Sequence, residues 1–415
     1  MVDRADALAL DAADPLAGLV DESVVADPGL VYLDGNSLGR LTHRARRRLA
    51  ATVDGEWGEG LVRSWEGWID LPTRVGDALA AHLLGARPGE VVVGDSTTVN
   101  LYKAAEAAIA ARPGATAVVT DDDNFPTDRY VLEGLAARHG LAYREVASDP
   151  VHGPDPGAVA AALPGAALLS LSHVAYRSGA IADMAGLTAL AHEHGALALW
   201  DLSHAVGSVP VELTAAGADL AVGCTYKYVN GGPGAPAFTY VRRERQGELH
   251  QPVWGWFGRE DQFAMGPGYR PVPGIGSWLT GTPAVLGLVC VEEGVGLLAE
   301  AGIDRLRAKG RALTSLIVEA ADDWLAPLGF AVASPRDPDR RGSHVALAHP
   351  DGRRIAHALA SVGVVVDYRA PDRLRLGPAP VASRFAAVWD ALDRLRRLVA
   401  SGDLDRLAVP DRRVP

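Results

Sequence analysis

Between about residue 41 and residue 280 the chain repeats one pattern: short apolar runs with no polar alternation, set among longer stretches with helical spacing. A strand that is apolar on both faces must be covered on both, and helices flanking each run can cover it. The runs are Glu90–Val93, Ala115–Thr120, Ala166–Ser172, Leu197–Trp200, Asp219–Cys224 and Ala237–Val241. Helices are predicted over Leu41–Trp57, Arg74–Leu84, Thr97–Ala111, Asp128–His139 and Met184–His194. This order predicts an α/β domain built on a mostly parallel sheet. After Thr282 the character changes. A long helix is predicted over Ile303–Leu325, then short strands near Ser343–Ala348, Val362–Val366 and Leu374–Leu376. A last helix presents Phe385, Val388, Trp389, Leu392 and Leu395 on one face. We expect an N-terminal segment, 1–40, joining a small α+β domain at 283–415, and a large domain at 41–282.

The 415 residues carry a net charge of −11, which argues against a nucleic-acid partner or an anionic membrane surface. No apolar stretch approaches the ~18 residues of a membrane span, and the first residues lack the basic-then-apolar order of a signal peptide. Two cysteines, Cys224 and Cys290, supply neither a disulfide framework nor a metal site, so a reducing, cytoplasmic setting and no metal are expected. Of the 40 basic residues only Lys103, Lys227 and Lys309 are lysines. Lys103 and Lys309 fall off the apolar stripes of predicted helices and are expected on the surface. Lys227 stands just past the run Asp219–Cys224, at the mouth of the loop Asn230-Gly231-Gly232-Pro233-Gly234. Lysine, unlike arginine, can lose its proton when desolvated and condense with a carbonyl.

Ligands of open α/β sheets bind beyond the carboxyl ends of the strands. Asp201 ends the run Leu197–Trp200, Phe125 and Asp128 follow Ala115–Thr120, and Ser96-Thr97-Thr98 follows Glu90–Val93 where a helix should start. These groups meet the needs of pyridoxal 5′-phosphate. The cofactor needs a lysine for its aldehyde and a carboxylate, Asp201, to keep its ring nitrogen protonated. It needs an aromatic face, Phe125, and a phosphate cup of hydroxyls and free N–H groups at a helix N-terminus, Thr97 and Thr98.

The chain resembles kynureninase, a fold-type-I pyridoxal-phosphate hydrolase, over most of its length. The resemblance rests on an ordered set of motifs: Gly35–Gly39, Thr98–Leu101, Phe125–Asp128, Ser172–Gly179, Trp200–Gly207 and Tyr226–Gly234. It continues through Gly255–Gly258, Gly281–Pro283 and Arg375–Pro380. It implies a seven-stranded, mostly parallel sheet and hydrolysis of L-kynurenine, or its 3-hydroxy derivative, to an anthranilate and L-alanine, a step of tryptophan breakdown. It implies that Lys227 is the Schiff-base lysine and proton shuttle, Asp201 the partner of the ring nitrogen, and His204 a support for the ring or its aspartate. Tyr226 binds the phosphate and relays a proton, and with the phosphate it could serve as the base for hydration. Thr97, Thr98, Asp128, Ser172, Trp256 and Thr282 complete the cofactor contacts. Trp256 and Thr282 come from the partner subunit of a homodimer with shared sites. Arg375 holds the substrate carboxylate, with Ser37 and Trp65 also facing substrate. Ala175 and Arg259 depart from the family pattern and bear on the preference for ring substituents.

Two other readings remain at this level. A cysteine desulfurase or class-V aminotransferase would use the same cofactor, but a desulfurase needs a reactive cysteine on a mobile loop. Cys224 lies in a predicted strand and Cys290 in an apolar helix. A degenerate fold that only binds a partner would have no reason to keep Lys227, Asp201 and Arg375 together.

Overall fold

The computed structural model describes residues 3–402; Met1, Val2 and 403–415, which belong to the predicted terminal units, lie outside the described residues. The large sheet has seven strands: β1 Val91–Val93, β2 Ala117–Asp121, β3 Ala142–Val146, β4 Ala166–Ser172, β5 Leu197–Asp201, β6 Leu220–Gly223 and β7 Phe238–Val241. Their order is β1-β7-β6-β5-β4-β2-β3, and only β7 runs against the rest. Alternate residues of each central strand enter two different cores. Leu168, Leu197, Leu199, Leu220 and Val222 pack toward the helices Thr97–Ala110 and Pro126–His139. Leu169, Leu171, Ala198, Trp200 and Ala221 pack toward Leu71–Leu83, Met184–Glu193 and Val285–Ala301. A fully enclosed leucine such as Leu199 stabilises by about 1.5–3 kcal/mol over its exposed state, so burial on both faces is what makes these runs continuous.

Strand β3 carries Tyr143, Arg144 and Glu145 and lies at the sheet edge, where one flank is solvated; no apolar run announces it in the sequence. The helix expected over Leu41–Trp57 is α-helical only for His43–Ala51 and then widens to π geometry over Thr52–Gly60, a stretch with three glycines. The long C-terminal helix likewise turns from α, Ile303–Ala320, to π at Ala321–Leu325.

The second core begins around Leu313 and joins Val345, Leu347, Ile355, Leu374 and Val388 with Ala7, Val31 and Leu33 of the N-terminal segment. Its sheet is antiparallel, in the order Ala331–Val332, Val345–Ala348, Arg373–Leu376, Asp367–Arg369. The N-terminal segment adds a short parallel ladder, Val31–Tyr32 against Val364–Val365. Helix Val285–Ala301 was assigned to the small unit by its place in the chain, but its apolar residues Leu288, Val291, Val295 and Leu298 belong to the core of the large one.

Two expectations about lysine are overturned. Lys103 is 1 % exposed and Lys309 5 %. Lys103 pairs with Asp95 at 2.7 Å and Lys309 with Asp14 at 2.6 Å. A lysine off the apolar stripe can still be buried when a neighbouring element supplies a carboxylate over it, and helix periodicity does not report that neighbour.

Candidate active site

The carboxyl ends of β6, β5, β4 and β2 stand side by side, and register places Asp201 opposite both Val222 and Ser172. Lys227 therefore sits beside Asp201 in space although 26 positions separate them in the chain. Beyond β6 the chain loops through Tyr226 and Lys227, and Asn230 takes the left-handed conformation, φ +60°. The Gly35–Gly39 turn of the N-terminal segment lies against this loop: the Gly39 N–H donates to the Tyr226 carbonyl at 2.8 Å. A Cβ on Gly39 would sit 2.3 Å from the Lys227 carbonyl oxygen, so only glycine permits that approach.

The Lys227 amine is almost enclosed, 8 % exposed. Its Nζ lies 3.4 Å from both ring nitrogens of His204 and 5.8 Å from the ring centres of Phe125 and Tyr226. Burial, and then the charge of Lys227, push the His204 imidazole well below its usual value, so it is neutral. His344 stands 5.7 Å from His204 and is pushed down to about 3 by burial and the charge of Arg375. Asp201 Oδ1 accepts from the Ser203 N–H at 2.6 Å. Burial and the charge of Asp201 raise the neighbouring Asp128 carboxyl well above the carboxylate range, and Asp128 Oδ2 is enclosed without a hydrogen-bond partner. Two adjacent buried carboxyls, one of them with an unpartnered oxygen, are an arrangement ready for a cationic heteroaromatic N–H.

Tyr226 shares a cavity of about 370 Å³ with Ser96, Thr97, Leu279, Thr280 and Thr282. Ser96 caps the helix Thr97–Ala110, so its free N–H groups open on this cavity. Thr97 is half-buried there and Thr98 exposed on the same first turn. Burial raises the Tyr226 phenol, which thus keeps its proton at neutral pH. Ser172 is at the end of β4, but its hydroxyl donates to Asn124 Oδ1 at 2.7 Å.

Arg375, 1 % exposed, is held on several sides. Its guanidinium donates to Asp367, to the Tyr176 carbonyl at 2.6 Å and to Ser37 Oγ at 3.3 Å. Trp65 and Trp256 both pack on Phe257, with ring centres 6.2 Å and 5.0 Å away. Asp367, Tyr176 and His344 escaped the sequence reading. Asp367 is the direct cross-strand neighbour of Arg375; an Asp eight positions before an Arg across a tight hairpin was the available signal. His344 has none, because the small sheet alone brings it to the large domain.

The donor set fits pyridoxal phosphate: one enclosed amine, an acid pair with an unpartnered oxygen, an aromatic face and a helix N-terminus beside a protonated phenol. Cys224 is buried and Cys290 half-buried in a helix, and burial raises both thiols, so neither offers a desulfurase nucleophile.

The family model for the kynureninase C-terminal domain matches residues 306–395. The kynureninase of Pseudomonas fluorescens is 44 % identical over 407 residues, 96 % of each chain. That of Burkholderia pseudomallei (strain K96243) is 41 % identical over 406 residues, again 96 % of each. Among solved structures, the apo cysteine desulfurase from Thermococcus onnurineus NA1 superposes with a TM-score of 0.78 at 18 % identity, covering 92 % of this chain and 98 % of that one. A cystine C-S lyase in complex with cysteine persulfide gives 0.78 at 18 % identity, covering 89 % and 98 %. At that identity the likeness is one of fold alone, that of the fold-type-I enzymes. Near-full-length identity above 40 % carries more, and on it the chain belongs to the kynureninase family.

Proposed function

We propose that this chain hydrolyses L-kynurenine to anthranilate and L-alanine with pyridoxal 5′-phosphate bound at Lys227. The observation that carries the reading is the enclosed Lys227 amine beside the Asp128–Asp201 acid pair, in a chain 44 % identical to a kynureninase over nearly its whole length. When bound, pyridoxal phosphate supplies an aldehyde that condenses with an amine and a ring that takes up the electron pair of a breaking Cα–H bond. Asp201 would hold the proton on the ring nitrogen, and Asp128, whose carboxyl is pushed up by burial and the charge of Asp201, stands beside it. Phe125 and the neutral His204, both near the Lys227 amine, would pack against the ring. Because His204 is uncharged, it does not repel a cationic ring or amine.

Lys227 removes the substrate Cα proton and returns a proton later. Arg375 takes the α-carboxylate; Asp367 and Tyr176 fix the guanidinium plane, so little side-chain entropy remains to be lost on binding. Thr97, Thr98 and the helix N-terminus take the phosphate. Tyr226 donates to that phosphate and relays a proton, since a buried phenol with a raised pKa does not abstract one unaided. Water adds to the γ-carbonyl, the Cβ–Cγ bond breaks, and the aryl acid leaves as anthranilate.

Trp57, Val62, Trp254, Phe263 and Met265 are large apolar side chains left exposed on one chain. They support a homodimer in which Trp256 and Trp65 reach the partner's site. Thr282 also lines the Tyr226 cavity of its own chain. A role in tryptophan breakdown in the cytoplasm follows from the same reading. Purified protein with pyridoxal phosphate and L-kynurenine should release fluorescent anthranilate and L-alanine in equal amounts. Persulfide or pyruvate formation from cysteine with no anthranilate from kynurenine would overturn the assignment.

A further inference from the structure

We infer that Lys103 is a positioning residue for the cofactor's phosphate; the inference rests on the cavity around Thr97 and Tyr226 being the phosphate site. Lys103 lies on the inner face of the helix Thr97–Ala110, and its side chain is 2 % exposed. Its ammonium donates to Asp95 Oδ2 at 2.7 Å and to the Trp278 carbonyl at 2.8 Å. Asp95 lines the cavity, and Trp278 directly precedes its lining residues Leu279 and Thr280.

Asp95 forms the turn between β1 and the helix. Its backbone is left-handed, φ +51°, a conformation that costs a non-glycine residue of order 1 kcal/mol and persists only where surroundings enforce it. The turn is pinned to the sheet: the Gly94 N–H donates to the Ala237 carbonyl at 2.8 Å, and the Ala237 N–H to the Asp95 carbonyl at 2.9 Å. The next residues are Ser96, the cap, and Thr97. Thr280 Oγ1 lies 3.0 and 3.2 Å from the two Asp95 carboxylate oxygens. Thr280 precedes Gly281 and Thr282, and its carbonyl accepts from the Phe257 N–H at 3.1 Å. A Cβ on Gly255 would stand 2.0 Å from that carbonyl oxygen, so the Trp256 segment is seated directly on Thr280.

Lys103 thus closes a ring of contacts: helix to turn through Asp95, turn to the 278–282 segment through Thr280, that segment back to the helix through Trp278. The ring fixes the distance between the N–H groups at Thr97 and the hydroxyl of Thr282. Neither Lys103 nor Asp95 need touch the phosphate to set its binding. Preorganised walls need no rearrangement when the ligand arrives.

The test is direct titration of apo-protein with pyridoxal phosphate, followed by tryptophan fluorescence, alongside apo thermal unfolding. Lys103→Met should weaken cofactor binding roughly 10- to 100-fold, the range expected when a site loses about 1 Å of definition. Thr280→Val removes only the hydroxyl bond across the ring and should weaken binding roughly 3-fold, one neutral hydrogen bond's share, with little change in apo melting temperature. Cofactor affinity of both variants within twofold of wild type, with only melting temperature lowered, overturns the inference. Should Lys103→Met fail to fold, unchanged affinity in Thr280→Val overturns it alone. Wild-type protein that takes up no pyridoxal phosphate would instead overturn the assignment of the site as well.

Discussion

Replacing Asp201 with asparagine should cost far more activity than the same change at Asp128. The two residues are 6 % and 2 % exposed and adjacent, and after burial the charge of Asp201 is what raises the Asp128 carboxyl. Asp201→Asn deletes the buried negative charge, while its amide oxygen can still accept from the Ser203 N–H. A charge pair at contact distance is worth about 4 kcal/mol at an effective dielectric constant near 20. If all of it serves to keep the ring nitrogen protonated, kcat/KM falls roughly 10³-fold. Burial and the charge of Asp201 push the Asp128 carboxyl up, away from its charged form, and Asp128→Asn keeps its shape, so the loss should stay within about 10-fold. The assay is anthranilate release at saturating pyridoxal phosphate, with far-ultraviolet circular dichroism to confirm the fold. Equal losses in the two variants, or the larger loss at Asp128, would refute the division of charge between them.

Arg375→Gln should raise the KM for kynurenine roughly 10- to 150-fold, the value of one charge-assisted hydrogen-bonded contact; cofactor affinity should stay within twofold, and a KM unchanged by the substitution would remove Arg375 from substrate binding. Lys309→Met strands the Asp14 carboxylate, 3 % exposed at its side chain. It should lower unfolding free energy by about 3–5 kcal/mol, with Asp14→Asn on the same background recovering part of the loss in urea denaturation. His344 is held near 3 against 6.5 when unfolded, so its neutral form stabilises the protein above pH 6.5 and that contribution is lost as pH falls toward 3. At pH 5 this amounts to about 2 kcal/mol, and His344→Gln should show a correspondingly smaller drop in stability between pH 7 and pH 5.

What the sequence exposes and what it hides divide along physical lines. Strands β4 and β5 were legible because both faces are buried, which forces unbroken apolar runs such as Leu168–Leu171 and Leu197–Trp200. The edge strand β3 was not, because Tyr143, Arg144 and Glu145 face solvent on a strand paired on one side only. The π turns after Ala51 and Ala320 escape because each continues an α-helix for only about one or two turns, too few to establish a period of their own. In the site, Lys227, Asp201, Phe125, Asp128 and Thr97 could be found since each follows a strand end on one sheet edge. Ser37 and Arg375 come from separate units, and only their motifs pointed to them. His344 acts through contacts between units, which local sequence does not encode, whereas Asp367 meets Arg375 across a hairpin of the small sheet. In this arginine-rich chain all three lysines are buried, two in ion pairs and one at the site.

That distribution makes the central claim testable in one experiment. Borohydride reduction of the protein loaded with pyridoxal phosphate, followed by proteolysis and mass spectrometry, should place the pyridoxyl group on Lys227 alone. Lys103 and Lys309 are tied to Asp95 and Asp14 as buried ammonium ions and should carry none. Label on either of them, or an unlabelled Lys227 in protein that binds the cofactor, would contradict the account.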